Sequence, residues 1–150
     1  MAASSDQETH KNHHLIAILE VLKTGYWYDK KVQSELKPFG ISHEQFNVLQ
    51  ILHHHHPRHF SLKEIQSRLM NKTPNTTRLV EKLRQKGYIE SAYSTTNRRT
   101  LQISITDAGR ELLKKIKKPL SALGSKMNTA MSEEEAQELA RLLRRFRSKG

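Results

Sequence analysis

One stretch constrains this chain more than any other: SLKEIQSRLMNKTPNTTRLVEKLRQKGYIESAYSTTNRRTLQISITDAG, from Ser61 to Gly109. Its apolar residues change period part-way. The first half repeats like two short helices. The second half alternates like two strands around a polar, basic tip.

The first helix has clear punctuation. Ser61 is a good N-cap and Glu64 sits three residues on, the spacing of a capping box. Leu62, Ile65 and Leu69 then share one face, and Met70, Asn71 and Lys72 break the period as a turn. The second helix is expected to start at Thr73 as N-cap, with Pro74 in the first helical position. Leu79, Val80 and Leu83 form its inner stripe, and Gly87 stops it. Asn75, Arg78 and Lys82 lie at i, i+3 and i+7 and project together, with Thr76 and Thr77 near the exposed N-terminal end. By itself this is either an ordinary solvated face or a set of amides, hydroxyls and cations able to bond base edges and phosphates.

The strands that follow favour the second reading. Tyr88 to Tyr93 is strand-like, and Leu101, Ile103 and Ile105 alternate with Gln102 and Ser104 as a half-buried strand. Ser94-Thr95-Thr96-Asn97-Arg98-Arg99 joins them. Arginine at a hairpin tip suits a narrow minor groove, where negative potential is enhanced. Helix, turn, helix and basic hairpin in that order predict a winged helix-turn-helix: one helix in the DNA major groove and a hairpin beside it.

Charge agrees. The 150 residues carry 26 Lys and Arg against 15 Asp and Glu, a net +11 that favours nucleic acid or an anionic membrane surface. Nine of those cations and three acids fall between Lys63 and Arg99. The last helix is basic too, so the excess is not unique to the reading head. Absence of cysteine excludes disulfides, thiolate metal sites and cysteine redox sensing. No apolar run reaches the roughly 18 residues that span a bilayer, and MAASSDQETHKNHH lacks the apolar segment of a secretory signal, so the expected location is cytoplasmic.

The flanks are helical. After a frayed start, Leu15, Ile18, Leu19, Leu22 and Tyr26 form one stripe, and Tyr28, Val32 and Leu36 extend it until Pro38 and Gly40. Tyr26, Trp27 and Phe46 are candidates for a ligand-pocket wall; core or interface packing is the alternative. Ser42 and Gln45 open the next helix with a second capping box, and Phe46, Val48, Leu49, Ile51 and Leu52 are its apolar residues. It runs into His53-His54-His55-His56, with His59 beyond Pro57. Pairs such as His55 with His59 or His53 with His56 could take adventitious zinc or nickel, but further ligands are not evident, so no metal site and no cofactor are assigned. Thr106 caps the helix after the wing, and Pro119 is expected to kink or divide that helix near Lys118. Ser132 and Glu135 open the last helix, apolar along Leu139, Leu142, Leu143 and Phe146.

These end helices carry more apolar surface than one small winged domain needs. Packing against a second copy is the expected solution, a monomer with its end helices folded back the alternative. The fold class is thus mainly α with a small β-hairpin wing: residues 42–106 a winged helix-turn-helix, residues 1–36 and 107–150 a helical dimerisation region, all one structural unit. A twofold dimer presents two recognition helices to half-sites roughly 34–36 Å apart in a palindrome.

The stretch Ser42 to Gly109, with helices on both sides, resembles the MarR family of bacterial transcriptional regulators. The resemblance is carried by Thr76-Thr77-Arg78-Leu79-Val80-Glu81-Lys82-Leu83, Lys86-Gly87-Tyr88-Ile89, Asn97-Arg98-Arg99 and Ile105-Thr106-Asp107-Ala108-Gly109. It implies a homodimer on an inverted-repeat operator, often a repressor released by a small ligand. Asn97 stands where the family usually has Asp, so the wing arginine gains a neutral rather than a charge-assisted partner. The family's cysteine-based peroxide sensors are excluded. The residues assigned to DNA are Asn75, Thr76, Thr77, Arg78 and Lys82 in the major groove, Lys82 on phosphate; Asn97, Arg98 and Arg99 in the wing; and Ser61, Lys63 and Ser67 at the backbone. No catalytic residue is assigned. A metal hydrolase finds no paired carboxylates, HExxH or phosphate loop to support it. A sequence-independent DNA or membrane-surface binder and a His-rich metal-responsive regulator are the rival readings.

Overall fold

The computed structural model describes residues 12–70, 75–96 and 99–148. Helix α1 spans His13–Leu36, capped by Asn12, whose side chain accepts from the Leu15 N–H. A 3-10 turn, Lys37–Phe39, follows and ends on Gly40 at φ 67°, a left-handed value glycine adopts without strain. Helix α1 ends before Pro38 and Gly40 as those residues predict, and the 3-10 turn has no signal of its own in the sequence. Helix α2 is His43–His54, α3 Leu62–Arg68 and α4 Thr76–Gln85. Strands β1 (Ile89–Tyr93) and β2 (Leu101–Ile105) pair antiparallel, Ile89 opposite Ile105 and Tyr93 opposite Leu101. Helices α5 (Asp107–Asn128) and α6 (Glu133–Arg147) close the chain.

The capping boxes at Ser42, Ser61 and Ser132 form as their spacing predicts, and Thr106 caps α5 by accepting from Gly109 N–H. Gly87, at φ 75°, ends α4. Three expectations are corrected. Helix α4 begins at Thr76 with Asn75 in the cap position, not after Thr73; Asn75 has φ −103° and ψ 13°, outside helical geometry. Thr73 and Pro74 themselves lie outside the described residues, as do Asn71 and Lys72 of the turn. Helix α5 is one helix through Pro119, not two. Pro119 removes a single donor, and the carbonyl it frees belongs to exposed Lys115, where water is at hand. Leu101 is exposed although Ile103 and Ile105 are buried, because it sits at the far end of the hairpin from the core.

One core unites the chain. Leu36 of α1, Val48, Leu49 and Leu52 of α2, Ile65 of α3, Leu83 of α4, Ile103 of β2 and Ile116 of α5 are buried in it. Phe60 is fully buried as well: its N–H donates to Ile103 O at 2.9 Å and its carbonyl accepts from Ile103 N–H at 2.8 Å. That bridge gives the hairpin a third short edge, a feature with no sequence signal because one residue shows no alternation. The core stops short of the chain ends. From Leu15 to Tyr28 the large apolar residues of α1 are exposed, as are Leu139, Leu142 and Phe146 of α6.

Candidate nucleic-acid interface

The outer face of α4 is built by its inner one. Val80 and Leu83 are buried against the core, so the residues between them turn outward. Asn75, Thr77, Arg78 and Lys82 are exposed, and among the described residues their side chains make no hydrogen bond or ion pair. Arg84, on the same helix, differs: Glu81 takes two bonds from it at 2.9 and 2.8 Å. That pairing holds the Glu81 carboxyl below its usual value and raises Arg84. Four polar side chains thus stand unpaired beside one cation that Glu81 already holds.

Thr76, expected on this face, turns inward. It is 2% exposed, not on the outer face. Starting α4 at Thr76 rotates that residue inward, and Asn75 and Thr77 take the exposed positions of the first turn. A groove of about 660 Å³ runs beside this face, with Asn75, Arg78 and Lys82 on one wall and Ser42 and Glu44 of α2 on the other. Lys86 Nζ donates to Gly40 O and ties the end of α4 to the corner before α2.

The other assigned residues divide. Ser61 Oγ donates to Glu64 Oε2 at 3.0 Å and accepts from the Glu64 N–H at 3.3 Å, and Ser67 Oγ donates to Glu64 O at 2.8 Å, so both hydroxyls serve α3 itself. Lys63 is exposed between them. Arg99 is exposed at the wing, while Asn97 and Arg98 lie outside the described residues. Phe46 lines a groove of about 740 Å³ between α2 and α5 with Gln50, His53, Leu113, Ile116 and Leu120. Tyr26 and Trp27 do not line it; they stand 67% and 48% exposed on α1.

The histidines are employed separately. His55 Nδ1 lies 2.9 Å from Ile51 O, His56 Nε2 accepts from Arg110 Nη1 at 2.8 Å, and His43 Nδ1 lies 2.6 Å from Asp29 Oδ1. Among the described residues no three His, Cys, Asp or Glu side chains converge as metal ligands.

The family model named MarR family matches residues 41–101, from the residue before the α2 cap to the start of β2. The HTH-type transcriptional regulator SarZ of Staphylococcus aureus is 30% identical over 122 residues, 80% of this chain and 78% of SarZ. The chain belongs to the MarR family. This MarR-family chain is also 27% identical over 114 residues to the transcriptional repressor MprA of Escherichia coli, covering 76% of itself and 65% of that longer protein. Its fold superposes on the S. aureus MepR–DNA complex with a TM-score of 0.77, at 20% identity, over 93% of this chain and 98% of MepR. It is a MarR-type transcriptional regulator that binds DNA, and the winged helix-turn-helix is the fold that does so. No helix among the described residues is long and apolar enough to cross a membrane.

Proposed function

We propose that this MarR-family regulator acts in the cytoplasm as a homodimeric repressor of an inverted-repeat operator and is released by a small ligand. The observation that carries the reading is the unpaired, exposed set Asn75, Thr77, Arg78 and Lys82 on α4. Buried Val80 and Leu83 fix the helix behind it, so the side chains of the set, and not the helix backbone, are what a major groove has to order. Arg78 reads a base edge, Lys82 binds phosphate, and Arg99, with Asn97 and Arg98, enters the adjacent minor groove. Lys63 adds a backbone contact; Ser61 and Ser67 contribute chiefly by holding α3. Thr76 takes a place in the core rather than at the DNA.

Dimerisation is supported by the apolar residues left in solvent. Leu22 of α1 and Phe146 of α6 are 64% and 56% exposed, and burying a Leu or Phe side chain fully is worth about 1.5–3 kcal/mol. Residues 1–36 and 107–150 supply that interface and 42–106 the reading head. Repression is supported by MprA, whose name states it. The effector site is the groove between α2 and α5, with Phe46 in its apolar floor. Tyr26 and Trp27 stand apart from that groove. A ligand there acts only through unequal affinity for DNA-competent and incompetent spacings of the two heads.

Selection from random DNA fragments across salt concentrations tests the proposal. Enrichment of one palindrome with a steep salt slope supports it. Binding without enrichment replaces it with a sequence-independent role. Arg78→Ala is expected to weaken the selected operator by about 1–3 kcal/mol while leaving random DNA almost unaffected; equal losses on both would reassign Arg78 to phosphate.

A further inference from the structure

Outside the α4 face and the wing tip, two arginines are held in an arrangement that neither the family match nor the sequence motifs account for. Phe60 is fully buried, and two guanidiniums lie against its ring: Arg58 with its central carbon 4.8 Å from the ring centroid and Arg68 with its own at 5.0 Å. His55 approaches the same ring edge-on at 5.3 Å. Glu64 fixes both cations from one side, accepting from Arg58 Nη2 at 2.7 Å on its carboxylate and from Arg68 Nη1 at 3.3 Å on its carbonyl. Each guanidinium has five N–H donors, so both keep donors free of Glu64. Both side chains also reach solvent, Arg58 with 53% exposure. A guanidinium already ordered on a ring loses less freedom when it binds than one on a free stem.

Position gives the pair a partner. Phe60 is bonded in both directions to Ile103, so the arginines sit on the shoulder where β2 meets α3. β2 descends from the wing tip, and α3 leads into the recognition helix. With α4 in a major groove and the tip in the neighbouring minor groove, the sugar–phosphate strand dividing those grooves crosses the surface that joins the two elements. We infer that Arg58 and Arg68, stacked on Phe60, form a clamp for backbone phosphates of that strand. This rests on the DNA-binding reading and extends its footprint to the wing's shoulder. The clamp adds affinity and register but reads no bases, since phosphate contacts carry no sequence directly.

Salt dependence tests it. Full-length protein is titrated with a random-sequence duplex over a range of salt concentrations, and the slope of log Kobs against log salt is read. Each phosphate contact contributes a slope of about 0.9. Arg58→Gln and Arg68→Gln are each expected to reduce the slope by about that amount, and the double variant by about twice it. Lys115→Gln removes the same charge from an exposed site on α5 and serves as the control. Arg58→Lys and Arg68→Lys restore charge without the fork and are expected to return most of the slope. Slopes equal to that of the Lys115 control overturn the clamp while leaving DNA binding in place. Slopes that stay low in the lysine variants overturn it too, because the loss then comes from packing on Phe60. Absence of wild-type binding overturns both the clamp and the reading beneath it.

Discussion

Gly109 sets how closely α5 approaches the end of the recognition helix. A Cβ built there would stand 2.3 Å from Tyr88 O and 2.7 Å from Ile105 Cγ1. The Tyr88 carbonyl cannot easily retreat, since it accepts from the Thr106 N–H at 3.1 Å, and Thr106 Oγ1 donates to Gly87 O at 2.6 Å. One small residue thus holds three backbone segments together at the exit of α4. Gly109→Ala is expected to destabilise the fold by about 1–3 kcal/mol, the usual cost of overpacking, as measured by urea denaturation. Unchanged stability would mean that the α5 contact relaxes freely. The sequence displays Thr106-Asp107-Ala108-Gly109 plainly, but the carbonyl that excludes a larger residue is brought there by the tertiary fold.

At the scale of elements, the short helix α3 depends on its cap. Seven residues are too few for a helix to persist on propensity alone. The Glu64 carboxyl lies below its usual value, first because it accepts the Ser61 backbone N–H, then the Ser61 hydroxyl, with Arg58 adding to both. A carboxyl lowered in the folded state stabilises above its unfolded value, near 4.5, and that contribution is lost as pH falls through the folded one. Glu64→Gln is therefore expected to cost about 0.5–1 kcal/mol at neutral pH, a modest figure because the side chain is partly exposed. Thermal unfolding at pH 7 and pH 3 checks it: the gap between wild type and variant should shrink at the lower pH. An equal gap at both would remove charge from the explanation. Caps of this kind were legible in the sequence because they are local. The start of α4 was not: a Thr-Pro pair suits a helix start, but Thr76 inside and Asn75 outside are positions set by packing on α2.

For the whole molecule, the exposed apolar residues of α1 and α6 make a testable claim. Leu22→Asp and Phe146→Asp alter side chains that are already in solvent in one chain, so each is expected to retain its helix content. Sedimentation should then show a shift toward monomer, and affinity for a two-half-site operator should fall far more than affinity for one half-site. Dimeric variants that bind normally would place the interface elsewhere. The core itself runs from Val32 of α1 to Ile116 of α5, so α1 and α5 are each anchored at one end, while α6 contributes no buried residue.

The order of elements, the capping boxes, the helix-ending glycines and the basic face of α4 are written in the chain. Each is written in residues within a few positions of one another, where spacing alone dictates geometry. The tertiary structure alone decided that Thr76 turns inward, that Phe60 bridges to Ile103, that Arg58 and Arg68 meet on one ring, and that Tyr26 and Trp27 stand apart from Phe46. Those arrangements join residues distant in the chain, or follow from how one helix rolls against another. Packing settles them, and no local period records it.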